Sequence, residues 1–306
     1  MFRMTKLLKR STLLPATALV AALMLAACGS GGGSSNSTNS GGGTGGGTGG
    51  GTGATKTSVE GYWGGLTNIP DPANSNNFFV MAGPVLENGE YWFVRSLNGV
   101  IDSLVHGKGQ SAASKFNSTD SKFWGTNQQT TVVPGTLAST SAYVVNSTFP
   151  GSLLWRSGTE SFGWSFDLVY DSTYDKPATT AFVVGNWVGQ WQTISTLPRF
   201  NFVVTSTGAA TPVLTMTFTQ DSPLPGCVWT GTIAPRPSGK NIYDVVMTIG
   251  QQASCTVPGT VLVPGTVFNG IATPGINATT GKSRLVLTAI DTSNTYDFIG
   301  LIDVAP

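Results

Sequence analysis

Gly61–Gly65 (GYWGG) and Gly185–Gly189 (GNWVG) share the pattern Gly-x-Trp-x-Gly, and each begins a passage of similar organisation. Downstream of each pattern an arginine, Arg156 or Arg284, stands in an apolar run that is followed by one further apolar run. Self-similarity at a fixed offset is typical of repeated structural units. The sequence therefore predicts two modules, residues 58–182 and residues 183–306.

The signal within both modules is that of β-strands. Short runs rich in Val, Thr, Phe, Tyr and Trp alternate with turn residues, which favours antiparallel strands. Asn88-Gly89 and Asn98-Gly99 are strong hairpin signals because both residues tolerate positive φ. One helical turn is expected over Pro177–Phe182. The predicted fold is all-β, with two tandem antiparallel β-barrel or sandwich modules. Strands are predicted over Phe162–Tyr170, Met216–Thr219, Val228–Ile233, Ile242–Ile249, Leu285–Ile290 and Tyr296–Val304.

The cysteines of the second module flank a predicted hairpin. Cys227 lies before one strand and Cys255 after the next, with a turn at Pro235–Gly239 between the two strands. Strands paired about this turn bring both cysteines to the same end of the hairpin. We expect a disulfide, which in the entropic treatment stabilises the fold by about 3–4 kcal/mol. With no third ligand nearby, a metal or redox role is not favoured.

The N-terminus has the pattern of an export signal. Basic residues between Arg3 and Arg10 precede a short apolar run, Leu13–Leu25, so residues 1–27 are interpreted as a signal peptide. The following Leu25-Ala26-Ala27-Cys28 resembles the lipobox of bacterial lipoproteins. That resemblance implies cleavage before Cys28, diacylglyceryl modification of its thiol and, since Gly29 is not acidic, an outer-membrane anchor. The alternative is an ordinary secretory signal in which the cysteine is incidental.

A low-complexity segment separates the anchor from the modules. Residues 28–57 consist of Cys28 followed by a stretch dominated by Gly, Ser, Thr and Asn, which cannot bury enough surface to fold. A flexible chain of this length reaches roughly 30 Å. Without the four basic residues of the leader, the chain has 12 basic and 15 acidic residues, a net charge of −3. This balance gives no expectation of a nucleic-acid partner.

The Gly-x-Trp pattern is similar to the first strand of lipocalins and avidins, which are small up-and-down barrels. In lipocalins an Arg from a late strand covers this Trp. The resemblance implies pairs of Trp63 with Arg156 and of Trp187 with Arg284, each worth about 0.5–2 kcal/mol as a cation–π contact. The overall layout also resembles Gly-rich tethered lipoproteins with small barrels on Gram-negative surfaces, some of which capture host proteins.

The sequence gives little support for catalysis. It has one histidine, His106, and neither a Gly-x-Ser-x-Gly nor a Ser-x-x-Lys motif in the folded part. His106 is interpreted as a polar residue near a strand end. Carboxylate pairs such as Glu160 with Asp167, or Asp171 with Asp175, are expected by chance among 15 acids. We expect no catalytic residue, no cofactor and no metal site.

The eight tryptophans are expected mainly to fill the module interiors. Trp191 is the one for which exposure to solvent is most expected. The sequence thus predicts a non-catalytic outer-membrane lipoprotein that presents β modules to a small apolar ligand or to an envelope or host protein. The alternatives are a structural or assembly lipoprotein of the envelope and, less favoured, a hydrolase that uses carboxylates alone.

Overall fold

The computed structural model is all-β and consists of two closed eight-stranded antiparallel barrels in tandem. It confirms the predicted fold class and selects the barrel over the sandwich. Cys28 and the rest of the predicted lipobox lie outside the described residues. The structure describes residues 58–71, 74–125, 132–157, 159–192, 199–206, 211–219, 221–222, 224–255 and 263–306.

The first barrel is an antiparallel meander whose first and last strands pair directly. A β4–β6 pairing closes the ring, and β5 is a three-residue strand that pairs with β6 alone. Its strands are β1 (Gly61–Asp71), β2 (Asn74–Val85), β3 (Glu90–Leu97), β4 (Val100–Lys108), β5 (Gln110–Ala112), β6 (Lys115–Gly125), β7 (Val133–Ser139), β8 (Thr148–Ser157) and β9 (Glu160–Asp171).

A 3₁₀ turn, Ser172–Asp175, and the helical turn α1, Thr180–Val183, connect the barrels. The second barrel is a simple meander closed by pairing of its first and last strands. Its strands are β10 (Gly185–Trp191), β11 (Arg199–Thr205), β12 (Val213–Phe218), β13 (Val228–Pro235), β14 (Tyr243–Ile249), β15 (Val267–Ile276), β16 (Ser283–Asp291) and β17 (Asp297–Val304).

The predicted hairpin turns adopt the backbone that their residues favour. Gly89, between β2 and β3, has φ of 79°, and the β3–β4 turn places Asn98 at 51° and Gly99 at 78°. These values lie in the left-handed region that Gly and Asn reach at least cost. The turn chemistry therefore favours the register of the β2–β3 and β3–β4 hairpins.

Both barrel interiors are filled by their own side chains. Trp63, Trp155 and Trp164 pack inside the first barrel with Phe and Tyr rings, and Trp187, Trp191 and Trp229 do the same in the second. The suspicion that Trp191 is exposed was wrong: its side chain is 2% exposed and contacts the rings of Trp229 and Phe298. The bulk of these aromatic rings makes each barrel a packed core.

A third apolar cluster lies between the barrels. Trp92, Leu104 and Trp124 on the outer face of the first barrel belong to the same cluster as Ile271 and Ile299 on the outer face of the second. The indole N–H of Trp124 also donates to the Thr295 carbonyl, at 3.3 Å. The two barrels consequently pack against each other through a buried apolar interface.

The repeat extends to a hydrogen bond at the start of each barrel. The indole of Trp63 donates to the Val59 carbonyl at 2.8 Å, and the indole of Trp187 donates to the Val183 carbonyl at 2.9 Å. Both valines stand four residues before their tryptophan, so the repeated pattern is Val-x-Gly-x-Trp. The first strand of each barrel is anchored in the same way.

The two barrels differ on the outer faces of their last strands. Alignment of Trp63 with Trp187 and of the strand registers places Asp167 at the position of Leu301 and Ser165 at that of Ile299. Leu301 and Ile299 pack against the first barrel, whereas Asp167 is exposed and Ser165 is half-buried. The second barrel is apolar here because it meets the first.

The third strands of the two barrels, β3 and β12, show the reverse difference: here the first barrel has the apolar residue. Val94 of β3 packs against the inter-barrel cluster, and the same register alignment places Thr217 of β12 at its position. At this position the first barrel therefore has an apolar side chain and the second barrel a polar one.

Candidate functional site

A cleft of about 430 Å³ opens where the two barrels meet. Its deeper wall is formed by Trp92 from β3, Ile271 from β15 and Ile290 from β16, all of which are buried. The rim is polar and charged. A concave surface with an apolar floor and a few convergent polar groups is the usual form of a binding site in proteins.

Arg236 joins the two barrels at one end of the cleft. It lies in the β13–β14 turn, and its Nε donates to Glu87 of the β2–β3 turn at 2.9 Å while its Nη1 donates to Asp244 at 2.5 Å. Burial opposes the charge of Arg236, but the bonds to Glu87 and Asp244 outweigh it and raise the pKa of the guanidinium. One cation is therefore shared between two carboxylates.

Glu90, at the start of β3, is another charged residue that lines the cleft. Its Oε1 lies 2.9 Å from His106 Nε2 and accepts from the Trp92 indole at 3.1 Å. The imidazole packs on the Trp92 ring, with centroids 4.0 Å apart. Burial favours the neutral acid, but the hydrogen bond and charge of His106 outweigh it and lower the pKa of Glu90. Glu90 is thus held as an oriented carboxylate.

The second ring nitrogen of His106 is not arranged for catalysis. Its Nδ1 is buried and has no hydrogen-bond partner in the part of the chain that the structure describes. His106 lies within β4, beside Lys122 of β6, and does not line the cleft. The geometry therefore offers no pairing of this imidazole with a hydroxyl nucleophile, and the described residues show none.

Asp291 provides a third carboxylate on the cleft wall, at the end of β16. It accepts the backbone N–H groups of Thr295 and Tyr296, both at 2.6 Å, and also bonds Ser293. These donors are neutral, so they orient Asp291 without balancing its charge. The lining residues thus carry three carboxylates (Glu90, Asp244 and Asp291) against the single guanidinium of Arg236.

The predicted Trp–Arg pairs are not present among the described contacts. Arg156 is exposed on the outer face of β8, and its partner in β9, Ser161, is nine residues from the partner of Trp63. Strand alternation explains this result because Trp155, the preceding residue, faces inward. Trp63 packs instead against the rings of Phe149 and Tyr170.

The second arginine has a different partner from the one the resemblance implied. Arg284 makes a two-pronged ion pair with Asp303 on the neighbouring strand, at 2.6 and 2.8 Å. These two residues face each other across β16 and β17 on the outer face, whereas Trp187 is buried within the barrel. Arg284 therefore stabilises the sheet from outside.

Other predicted positions have structural roles. A Cβ at Gly61 would lie 2.4 Å from the Tyr170 ring, and Gly185 has φ of 140°, so both glycines of the motif are required locally. The predicted disulfide is confirmed: Cys227 and Cys255 are bonded and fully buried.

The carboxylates singled out in the sequence serve the connection between the barrels. Asp171 caps the 3₁₀ turn by accepting from the Thr173 N–H at 2.9 Å. Asp175 accepts from the Tyr170 hydroxyl at 2.6 Å and from Lys240 Nζ at 2.9 Å. Within the described ranges no group of three His, Cys, Asp or Glu side chains is arranged to hold a metal ion.

Sequence reasoning did not find the cleft. Its rim comes from Glu90 in one module and from Arg236, Asp244 and Asp291 in the other, and no periodicity links segments so far apart. The turn residues around Glu90 and Arg236 were recognised, but their approach depends on how the barrels pack. A sequence signal for the cleft becomes visible only when the strands of the two barrels are aligned. It consists of apolar residues in one barrel at positions where the other barrel has polar residues.

No protein-family model matches this sequence, and no curated protein is significantly similar to it. Among the residues that the structure describes, no helix is both long and apolar enough to cross a bilayer.

Proposed function

We propose that the protein is a lipid-anchored, non-catalytic component of the outer membrane that displays a rigid two-barrel body for binding a partner protein on its outer surface. The observation that carries this proposal is the packing of both barrels. Their interiors are filled by buried aromatic rings such as Trp155 and Trp229, which favours a partner on the outer surface over a small apolar ligand inside a barrel.

The body is suited to presentation as one unit. The barrels are held by the inter-barrel cluster, by the ion pair of Arg236 with Glu87, and by the connecting segment, where the Asn241 N–H donates to the Tyr174 carbonyl at 2.9 Å. A preorganised surface of this kind loses little conformational entropy on binding. A structural role in envelope assembly is the alternative, and it would use the same surface.

The anchor is tested by substitution of Cys28 with Ala in the full chain, followed by cell fractionation and mass measurement. The proposal expects the native protein in the outer-membrane fraction with a diacylglyceryl mass, and the Cys28→Ala protein without this mass and outside that fraction. Ser40→Ala, in the low-complexity segment, is the control and should remain anchored. Membrane retention of a cleaved Cys28→Ala protein would refute the anchor.

The mode of binding is tested by native mass spectrometry of the soluble Cys28→Ala chain and by crosslinking of the anchored protein on intact cells. We expect a mass without bound small molecule and a reproducible crosslinked protein. A stoichiometric added mass that is lost on denaturation would contradict the proposal and indicate a carried ligand. The crosslinked protein's identity separates binding of a host or envelope target from a structural role.

A further inference from the structure

We infer that the inter-barrel cleft is a binding site for a cationic side chain, lysine or arginine, presented by the partner protein. This inference rests on the proposed function and specifies where the body binds and what chemistry it recognises. It follows from three features that converge at one place: an excess of carboxylates over cations among the lining residues, apolar side chains beside them, and a concave shape.

The charge of the cleft selects a cation. Arg236 is committed to Glu87 and Asp244, so one positive charge faces two negative charges at that end. Asp291 bonds neutral donors alone among its described hydrogen bonds. A cleft with walls of low dielectric concentrates the field of such residues and attracts a ligand of opposite sign. The same field disfavours phosphate and carboxylate ligands.

The orientation of the acids supports the same ligand. Glu90 is fixed by His106 and the Trp92 indole through its Oε1, and its Oε2 has only a long contact of 3.4 Å with Asn88. Asp244 likewise uses Oδ1 for Arg236, and its side chain is 44% exposed. Each carboxylate thus offers its second oxygen as an acceptor for an incoming N–H donor.

The wall of the cleft suits the methylene stem of such a side chain. Trp92, Ile271 and Ile290 line the cleft and belong to one buried apolar cluster. Lysine and arginine stems pack on apolar surface while their charged ends reach polar groups. The volume of about 430 Å³ is enough for one long side chain with its adjoining peptide.

The test uses three capped tripeptides: acetyl-Gly-Arg-Gly-amide, the Lys analogue, and the citrulline analogue, which matches arginine in shape without its charge. Their binding to the intact lipoprotein in a non-ionic detergent is measured by titration calorimetry at low and high salt. We expect the Arg and Lys peptides to bind, the citrulline peptide to bind about tenfold more weakly or not at all, and salt to weaken binding.

Variants locate the site. Asp244→Asn and Glu90→Gln should each weaken the Arg peptide by about tenfold, since each loses a charged acceptor. Asp167→Asn removes an exposed carboxylate from the outer face of the first barrel and should leave the affinity unchanged. Circular dichroism of each variant shows whether the fold is intact. If Glu90→Gln disturbs the contacts with Trp92 and His106, the Asp244→Asn variant decides the test.

The outcomes separate this inference from the proposed function. Equal binding of the citrulline peptide, an equal loss with Asp167→Asn, or no binding of any peptide would overturn the cation site. None of these results alters fractionation of the Cys28→Ala protein or crosslinking on cells. If instead the cells yield a crosslinked partner and Asp244→Asn abolishes that crosslink together with peptide binding, both the site and its chemistry are supported.

Discussion

Replacement of Ile299 with serine should weaken the contact between the two barrels and lower the free energy of unfolding. Ile299 is fully buried in the inter-barrel cluster, and Ser165 occupies the same position in the first barrel. Loss of a buried Ile side chain costs about 2–5 kcal/mol, and a hydroxyl without a partner adds about 1–3 kcal/mol. Against a typical total of about 5–15 kcal/mol, the loss is large.

The measurement is denaturant unfolding followed by tryptophan fluorescence and by far-UV circular dichroism. In the native protein we expect one cooperative transition, because Trp92, Trp124 and Ile299 couple the barrels. In the Ile299→Ser protein the midpoint should fall, and the two probes should no longer coincide if the barrels unfold separately. The reciprocal Ser165→Ile is the matched control and should change stability by no more than about 0.5 kcal/mol. A loss below about 0.5 kcal/mol in Ile299→Ser would show that this cluster does not hold the barrels together.

Two further predictions concern the second barrel. Burial raises the pKa of Asp297 from 3.8 to about 7, so the folded protein retains a proton that the unfolded chain releases, and stability should fall as the pH rises through this interval. Asp297→Asn should flatten that decline in unfolding measurements between about pH 4 and pH 8, and an unchanged slope would contradict it. Joint replacement of Cys227 and Cys255 by alanine should lower the free energy of unfolding by about 3 kcal/mol, as measured in denaturant without reductant. A stability equal to that of the oxidised protein would refute the role assigned to the disulfide.

Much of the fold was accessible from the sequence because local chemistry fixes it. Asn and Gly reach positive φ at low cost, and the structure has positive φ at Asn98, Gly99 and Gly89. The hairpin around Pro235–Gly239 brought Cys227 and Cys255 together as predicted. These features depend on neighbours in the chain, which the sequence displays directly.

The residues that were misjudged depend on contacts across the barrel. Trp191 was suspected of exposure because small and polar residues surround it, yet it packs against Trp229 and Phe298 from strands far along the chain. Arg284 was assigned to Trp187, but alternation along β16 turns it to the outer face, where Asp303 stands opposite. Such pairings depend on the sheet face that each side chain occupies and on the strand register, and neither follows from sequence spacing alone.

The candidate site illustrates a stricter limit. A cleft between repeated modules exists only if their faces are matched, and matching is visible only when equivalent positions are compared after the registers are known. Ile299 and Leu301 are apolar where Ser165 and Asp167 are polar, and Val94 is apolar where Thr217 is polar. A head-to-tail contact between repeats can in principle continue into an open array. In this chain the compared positions on the unmatched faces are polar, although Val169 and Val213 are exposed on the same faces, and the contact that is made defines one cleft. Reversal of that pattern, by Ser165→Ile together with Asp167→Leu, is therefore the change most suited to make copies of the body associate. Concentration-dependent sedimentation of that double variant, with none in the native protein measured alongside it, would show that polarity at these two positions limits the contact to a single pair of barrels.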